Sequence, residues 1–175
     1  MQRRRAERAR TRRLFDESCL YDRPMNARDL LLANLDAAYD KRGWHGTTLR
    51  GALRGLTPAD VYWRPPKSRH NIWEEVAHAA YWKYAVRQRL TRGKRGSFSI
   101  KGSNWFESPP RGGEQAWRDV VELLDIEHHR MRDVIESLDD AALDDPKKAR
   151  MIYGIAAHDA YHTGQIQLIK RLRRG

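Results

Sequence analysis

Apolar residues recur at helical spacing through most of this chain, whereas patterns typical of β-strands are scarce. Four segments each place apolar side chains three or four residues apart, which gives one apolar face along a helix. The segments span 26–56 with a break at 43–46, 71–92, 114–138, and 145 onward. Packing these four faces together is the economical way to bury them, so the sequence predicts an all-α four-helix bundle.

Capping residues mark the expected helix boundaries. Thr57 stands before Pro58, a typical start for a short helix. Asn71 with Glu74 resembles a capping box, and Asp145 precedes a proline in the same way as Thr57. Residues 93–113 contain glycines, serines and two prolines, which predicts a long crossover between the second and third helices.

Charge is concentrated at the two ends of the chain. The 175 residues are enough for one domain and carry a net charge of +11. Residues 1–13 contain seven arginines and one glutamate, and four basic residues lie in the last six, so the body is nearly neutral. We interpret residues 1–25 as a basic, flexible extension and residues 26–175 as the bundle domain. The arm could bind nucleic acid or anionic lipid, but charge at the ends rather than on one folded face disfavours nucleic acid.

The sequence contains no apolar run of about 18 residues, as a membrane helix requires, and no apolar segment of a secretory signal near its start. Cys19 is the only cysteine, so no internal disulfide can form. These features predict a cytoplasmic protein without a membrane partner.

Two histidines interrupt the apolar face of the fourth helix. His158 and His162 are four residues apart, so both imidazoles lie on one face. His78 lies at the flank of the apolar face of the second helix. Three histidines from two helices form a plausible open metal site, although hydrogen-bonded core histidines would give the same spacing.

Longer motifs around these histidines resemble the DinB-like family. The segment GIAAHDAYHTGQI at 154–166 is similar to the C-terminal motif of that family, and NIWEEVAH at 71–78 is similar to its first metal-ligand segment. Shorter motifs match in the same order, and the similarity covers about residues 28–172. These motifs are Trp44-His45-Gly46, Leu53-Arg54-Gly55-Leu56, Arg64-Pro65 and Trp117.

The resemblance implies that His78, His158 and His162 bind one divalent metal ion inside a four-helix bundle. Family members include thiol transferases that use low-molecular-weight thiols, a maleylpyruvate isomerase and uncharacterised hydrolases. The resemblance therefore implies a metal-dependent transferase or hydrolase that activates a thiol or water on a small-molecule substrate. Zinc is the default ion for an all-histidine site with open positions, and nickel and manganese are the alternatives.

Five further residues are candidates for the pocket or for contacts that orient the ligands. Asp159 could orient a histidine, although an interhelical salt bridge explains it as well. Tyr161 could donate to a substrate or simply pack. His45 would reach the level of His78 if the first two helices are antiparallel, and His128 could approach His158 or be a hydrogen-bonded core residue. Trp105, on the crossover, could wall the pocket entrance.

A ferritin-like di-iron site is the rival metal site. Glu75-x-x-His78 fits half of its motif and Asp125-x-x-His128 fits imperfectly, but the last helix has no glutamate. The helix N-terminus accounts for Glu74 and Glu75, and we expect His70 and His129 at the surface. The rival function is a non-enzymatic metal-binding stress protein or nucleic-acid-associated bundle. Homodimerisation through exposed helix faces is a further expectation.

Overall fold

The computed structural model describes residues 24–67, 70–93, 98–110 and 112–175. In these ranges it contains seven helices and no strand, which confirms the predicted all-α class. The helices are α1 (Ala27–Tyr39), α2 (Leu49–Ala52), α3 (Pro58–Val61), α4 (Ile72–Leu90), α5 (Glu114–Ser137), α6 (Asp140–Asp144) and α7 (Pro146–Arg174). Cys19 and residues 1–23 of the predicted basic extension lie outside the described residues.

Local sequence sets the helix starts as predicted. The side chains of Thr57 and Asn71 each accept from the backbone N–H three residues later, and the acidic residue there accepts in return from the backbone of the cap. Asp145 caps α7 by accepting from the backbone N–H of Lys147. The first segment is broken where predicted, at 43–46, but the break is longer than expected, because α1 ends at Tyr39 and helix resumes only at Leu49. The short helix α6 is an element that the apolar pattern did not predict.

The four long helices form the bundle, with α4 packed on α5 and α7, and α1 packed on α7 and α5. The crossover between α4 and α5 covers the outer side of α4, where Phe106 is buried against Tyr81. This cover explains why every residue from Ile72 to Ala80 is buried, rather than one face only. None of the described helices is both long and apolar enough to cross a membrane.

Two apolar clusters divide the core along the bundle axis. One contains Ile166 and Ile169 of α7, and the other contains Ile152 and Ile155 of the same helix. Buried polar side chains lie between the clusters on α4, α5 and α7. These are Lys83 on α4, Glu127 and His128 on α5, and Asp159, His162 and Thr163 on α7. The candidate site is therefore built into a polar layer at mid-height of the bundle.

Candidate metal centre

His158 and His162 lie on adjacent turns of α7, and His78 faces them from α4. The Nε2 atom of His158 is 3.2 Å from that of His78 and 3.0 Å from that of His162. Ligands about 2.0–2.1 Å from a tetrahedral zinc ion are separated by roughly 3.3 Å. The two separations that involve His158 are therefore close to the spacing that such an ion requires, and the three ligand nitrogens all lie within 4.8 Å of one another.

The opposite ring nitrogens of two of these histidines have fixed partners. The Nδ1 atom of His78 lies 2.7 Å from the backbone oxygen of Asn104, and that of His162 lies 2.5 Å from a carboxylate oxygen of Glu75. Both partners only accept, so each neutral imidazole carries its hydrogen on Nδ1. The Nε2 atoms of His78 and His162 are consequently lone pairs directed into the cluster.

His158 is held differently. Its Nδ1 atom is buried and finds no hydrogen-bond partner within the described part of the chain. A hydrogen on the Nε2 atom of His158 could be donated to only one of the two neighbouring lone pairs, leaving the other unsatisfied. A metal cation can accept the lone pairs of all three Nε2 atoms at once. The three histidines therefore fit a metal ion better than a hydrogen-bonded cluster.

Burial keeps two of the ligands, His78 and His158, neutral. The pKa of His78 falls to about 4 and that of His158 to about 3, in both cases chiefly because burial penalises the charged imidazolium. For His158 the neighbouring histidines lower the pKa further. Both rings are therefore available as ligands at neutral pH without first losing a proton.

Trp105 lines two cavities beside the triad. Its ring stacks on His78 at 3.8 Å between centroids and on His70 at 3.6 Å on the other side. A cavity of about 220 Å³ lies against Glu75 and His162, and one of about 650 Å³ lies along the crossover. Both cavities are lined by His70 and Trp105. A small molecule could therefore approach the triad beside a stacked His–Trp–His column.

A sequence model of the DinB superfamily matches residues 42–166, which includes all three histidines. The chain belongs to the DinB superfamily. No curated protein and no solved structure gives a significant match to it. Membership agrees with a helical bundle that binds metal, and His78, His158 and His162 form a group that could hold an ion.

The other sequence-predicted candidates occupy different places in this DinB bundle. Trp105 and Tyr161 both line the smaller cavity, and Tyr161 is 62% exposed. Asp159 is fully buried and forms an interhelical ion pair with Lys83. His128 is a core residue stacked on Tyr39 at 3.7 Å. His45 is exposed between α1 and α2 and lines neither cavity beside the triad.

Three residues of the polar layer and pocket were misjudged or missed from the sequence. The sequence assigns Glu75 to the helix N-terminus. In the structure the residue is only 5% exposed, and its carboxylate accepts a hydrogen bond from His162. His70 was expected at the surface, yet it is half-buried and lines both cavities. The sequence does not predict that Lys83 is buried, because a lysine is rarely buried unless it has a partner on another helix. The Glu75-x-x-His78 spacing indicates that Glu75 lies near a metal ligand, but it is typical of a ferritin-like di-iron site, in which the glutamate itself binds the metal.

Proposed function

We propose that this protein is an enzyme of the DinB superfamily that uses one divalent metal ion to activate a thiol or a water toward a small-molecule substrate. The observation that carries the proposal is the convergence of three Nε2 atoms, two of which are held as lone pairs by Glu75 and Asn104. Three neutral imidazoles leave the full charge of a divalent ion uncompensated and coordination positions open. Zinc is the ion that this donor set favours, with nickel and manganese as alternatives.

A divalent ion bound there would act as a Lewis acid and lower the pKa of a water or thiol ligand. The residues of the chain orient the ligands, keep two of them unprotonated and line the cavity. Glu75 fixes the ring of His162, and burial keeps His78 and His158 unprotonated. Trp105 and Ile169 give the smaller cavity apolar surface beside its polar lining. Tyr161 and Gln165 line the same cavity and present polar groups to a bound substrate.

Metal binding is tested first, because every version of the proposal requires it. Elemental analysis of the purified protein should give about one divalent ion per chain, and the His158→Ala/His162→Ala variant should hold none. His129→Ala is the matched control, since His129 is exposed on α5 and its Nδ1 atom bonds to the backbone of its own helix. Loss of the ion in the control, or retention in the double variant, would refute the assigned ligands.

The two reaction types differ in their need for a cosubstrate. A thiol transferase turns over electrophilic substrates only when a low-molecular-weight thiol is added, whereas a hydrolase turns over labile esters or amides without one. Both activities should disappear in His162→Ala protein that remains helical by circular dichroism. Metal binding without turnover in either assay would favour the non-enzymatic alternative. Homodimerisation and a cytoplasmic location stay predictions.

A further inference from the structure

The crossover makes a tight turn at Ser103–Trp105, directly over the triad. Asn104 lies at its centre with a φ of 65°, and the backbone N–H of Trp105 donates to the oxygen of Ser103 at 2.8 Å. Left-handed backbone is unfavourable for most residues, but asparagine tolerates it better than any residue with a larger or branched side chain. The turn therefore depends on the residue at position 104.

Asn104 contacts α4 through both its backbone and its side chain. Its backbone oxygen accepts from the Nδ1 atom of His78 at 2.7 Å. Its side-chain oxygen accepts from the indole N–H of Trp82 at 3.0 Å. His78 and Trp82 lie one helical turn apart on the same face of α4. The amide side chain thus holds the turn in the position that places its carbonyl against the metal-ligand histidine.

The next residue extends this arrangement to the substrate cavities. Trp105 is stacked on His78 with 14° between the ring planes, and it lines both cavities. The same turn therefore determines the tautomer of a ligand and the position of a cavity wall. A ligand that binds the Nε2 atom of His78 requires the hydrogen on Nδ1, which the carbonyl of Asn104 accepts.

We propose that Asn104 is a positioning residue that couples metal binding at His78 to the placement of Trp105 on the substrate cavity. This inference rests on the proposed function, because it requires that the triad bind an ion. The coupling is reciprocal: a turn in the correct conformation strengthens metal binding, and a bound ion stabilises the turn. Asn104 touches neither metal nor substrate and acts through His78 and Trp105.

The test compares the full-length protein with Asn104→Ala and Asn104→Gly. Zinc affinity is measured on metal-free protein by competition with a chromophoric chelator, and unfolding of the metal-free proteins is measured in parallel. We expect Asn104→Ala to bind zinc about tenfold more weakly, in the range seen when partners of ligand histidines are lost. Asn104→Gly should fall between it and wild type, because glycine adopts a positive φ freely but lacks the bond to Trp82.

Two further measurements separate positioning from a general structural role. Trp82→Phe removes the indole N–H that donates to Asn104 but leaves the sequence of the turn unchanged. It should weaken zinc binding as much as Asn104→Gly does. The double variant Trp82→Phe/Asn104→Gly should lose no more zinc affinity than either single variant. Zinc should slow amide hydrogen exchange at residues 103–108 in wild type and much less in Asn104→Ala. Unchanged zinc affinity in both Asn104 variants would overturn the inference while leaving the metal site intact. Failure of wild type to bind zinc, nickel or manganese would overturn the proposed function and this inference together.

Discussion

The carboxylate of Glu75 accepts a hydrogen bond from the Nδ1 atom of His162 at 2.5 Å, across the interface between α4 and α7. Glu75 lies three residues before His78 on α4, so one helical turn supplies both a ligand and the partner that orients another ligand. An imidazole bonded to a carboxylate is a stronger base at its other nitrogen. This contact should therefore determine the strength of metal binding as much as its geometry.

Replacement of Glu75 by glutamine should weaken metal binding. The amide keeps the volume of the side chain but not its charge, and it can present an N–H to the ring instead of an acceptor. We expect zinc affinity to fall about 10- to 100-fold, as for other carboxylate partners of ligand histidines. Competition with a chelator on metal-free protein measures this change, and an unchanged affinity would show that the carboxylate does not support His162.

Glu74 provides the matched control, because it is the adjacent residue and equally buried. Its carboxylate completes the cap at Asn71, pairs with Arg64 at 2.5 Å, accepts from the backbone N–H of Ser108 and lies 3.4 Å from His70, but it contacts none of the three triad histidines. Glu74→Gln should lower the free energy of unfolding by about 1 kcal/mol, a typical effect of losing a helix cap. Its zinc affinity should remain that of wild type. A comparable loss of affinity in both variants would mean that the Glu75 effect is only a loss of stability.

The architecture of this protein could be predicted because its determinants are local. The capping boxes at Thr57 and Asn71 and the proline after Asp145 each lie within four residues of the helix start that they define. The apolar faces have a period that can be counted along the chain. The pair His158 and His162 could be found for the same reason, since helical spacing alone places both rings on one face.

The partners of the triad could not be predicted, because they come from distant parts of the sequence. Glu75 and His162 are 87 residues apart, and Asn104 reaches His78 from the crossover, 26 residues further along the chain. Similarly, the burial of Lys83 becomes understandable only when α7 brings Asp159 against it. Helical spacing identifies the face on which a side chain lies, but not the residue that it meets on another helix.

The ion pair of Lys83 and Asp159 joins α4 to α7 with both side chains fully buried. The Oδ1 atom of Asp159 has no hydrogen-bond partner within the described residues, so the carboxylate depends on the bond that Lys83 donates to its Oδ2 atom. Lys83→Met should therefore reduce the free energy of unfolding by about 3–5 kcal/mol, because it leaves a buried carboxylate without a partner. Urea denaturation of the metal-free proteins measures the effect.

A double variant distinguishes the loss of the partner from the loss of the lysine itself. Lys83→Met/Asp159→Leu replaces both charges by apolar groups and should be more stable than Lys83→Met alone. The exposed pair of Arg118 and Glu114, at 3.5 Å on α5, is the surface control. Arg118→Met should change stability by less than about 1 kcal/mol. A double variant less stable than the single one would show that Asp159 stabilises the core by something other than its pairing with Lys83.

His128 should make the fold sensitive to mild acid. Burial, together with the nearby Lys83 ammonium, lowers the pKa of His128 to about 2. Its ring lies between Tyr39 and Asp36 of α1 and Lys83 of α4, with His129 and Arg132 on its own helix. In the unfolded chain this imidazole gains a proton as the pH falls through about 6.5, whereas in the folded protein it remains neutral. Stability should therefore be complete above that pH and decrease continuously below it, by about 2 kcal/mol from pH 7 to pH 5.

Removing the imidazole should remove this part of the pH dependence. Between pH 7 and pH 5, the free energy of unfolding should decrease in both proteins, but the decrease should be about 2 kcal/mol smaller in His128→Gln than in wild type. Urea denaturation at several pH values, with a chelator present throughout, measures the difference. His129→Gln, one residue away on the exposed side of α5, should keep the wild-type slope. Equal slopes for wild type and His128→Gln would mean that His128 becomes protonated within the folded bundle, in the polar layer between its two apolar clusters.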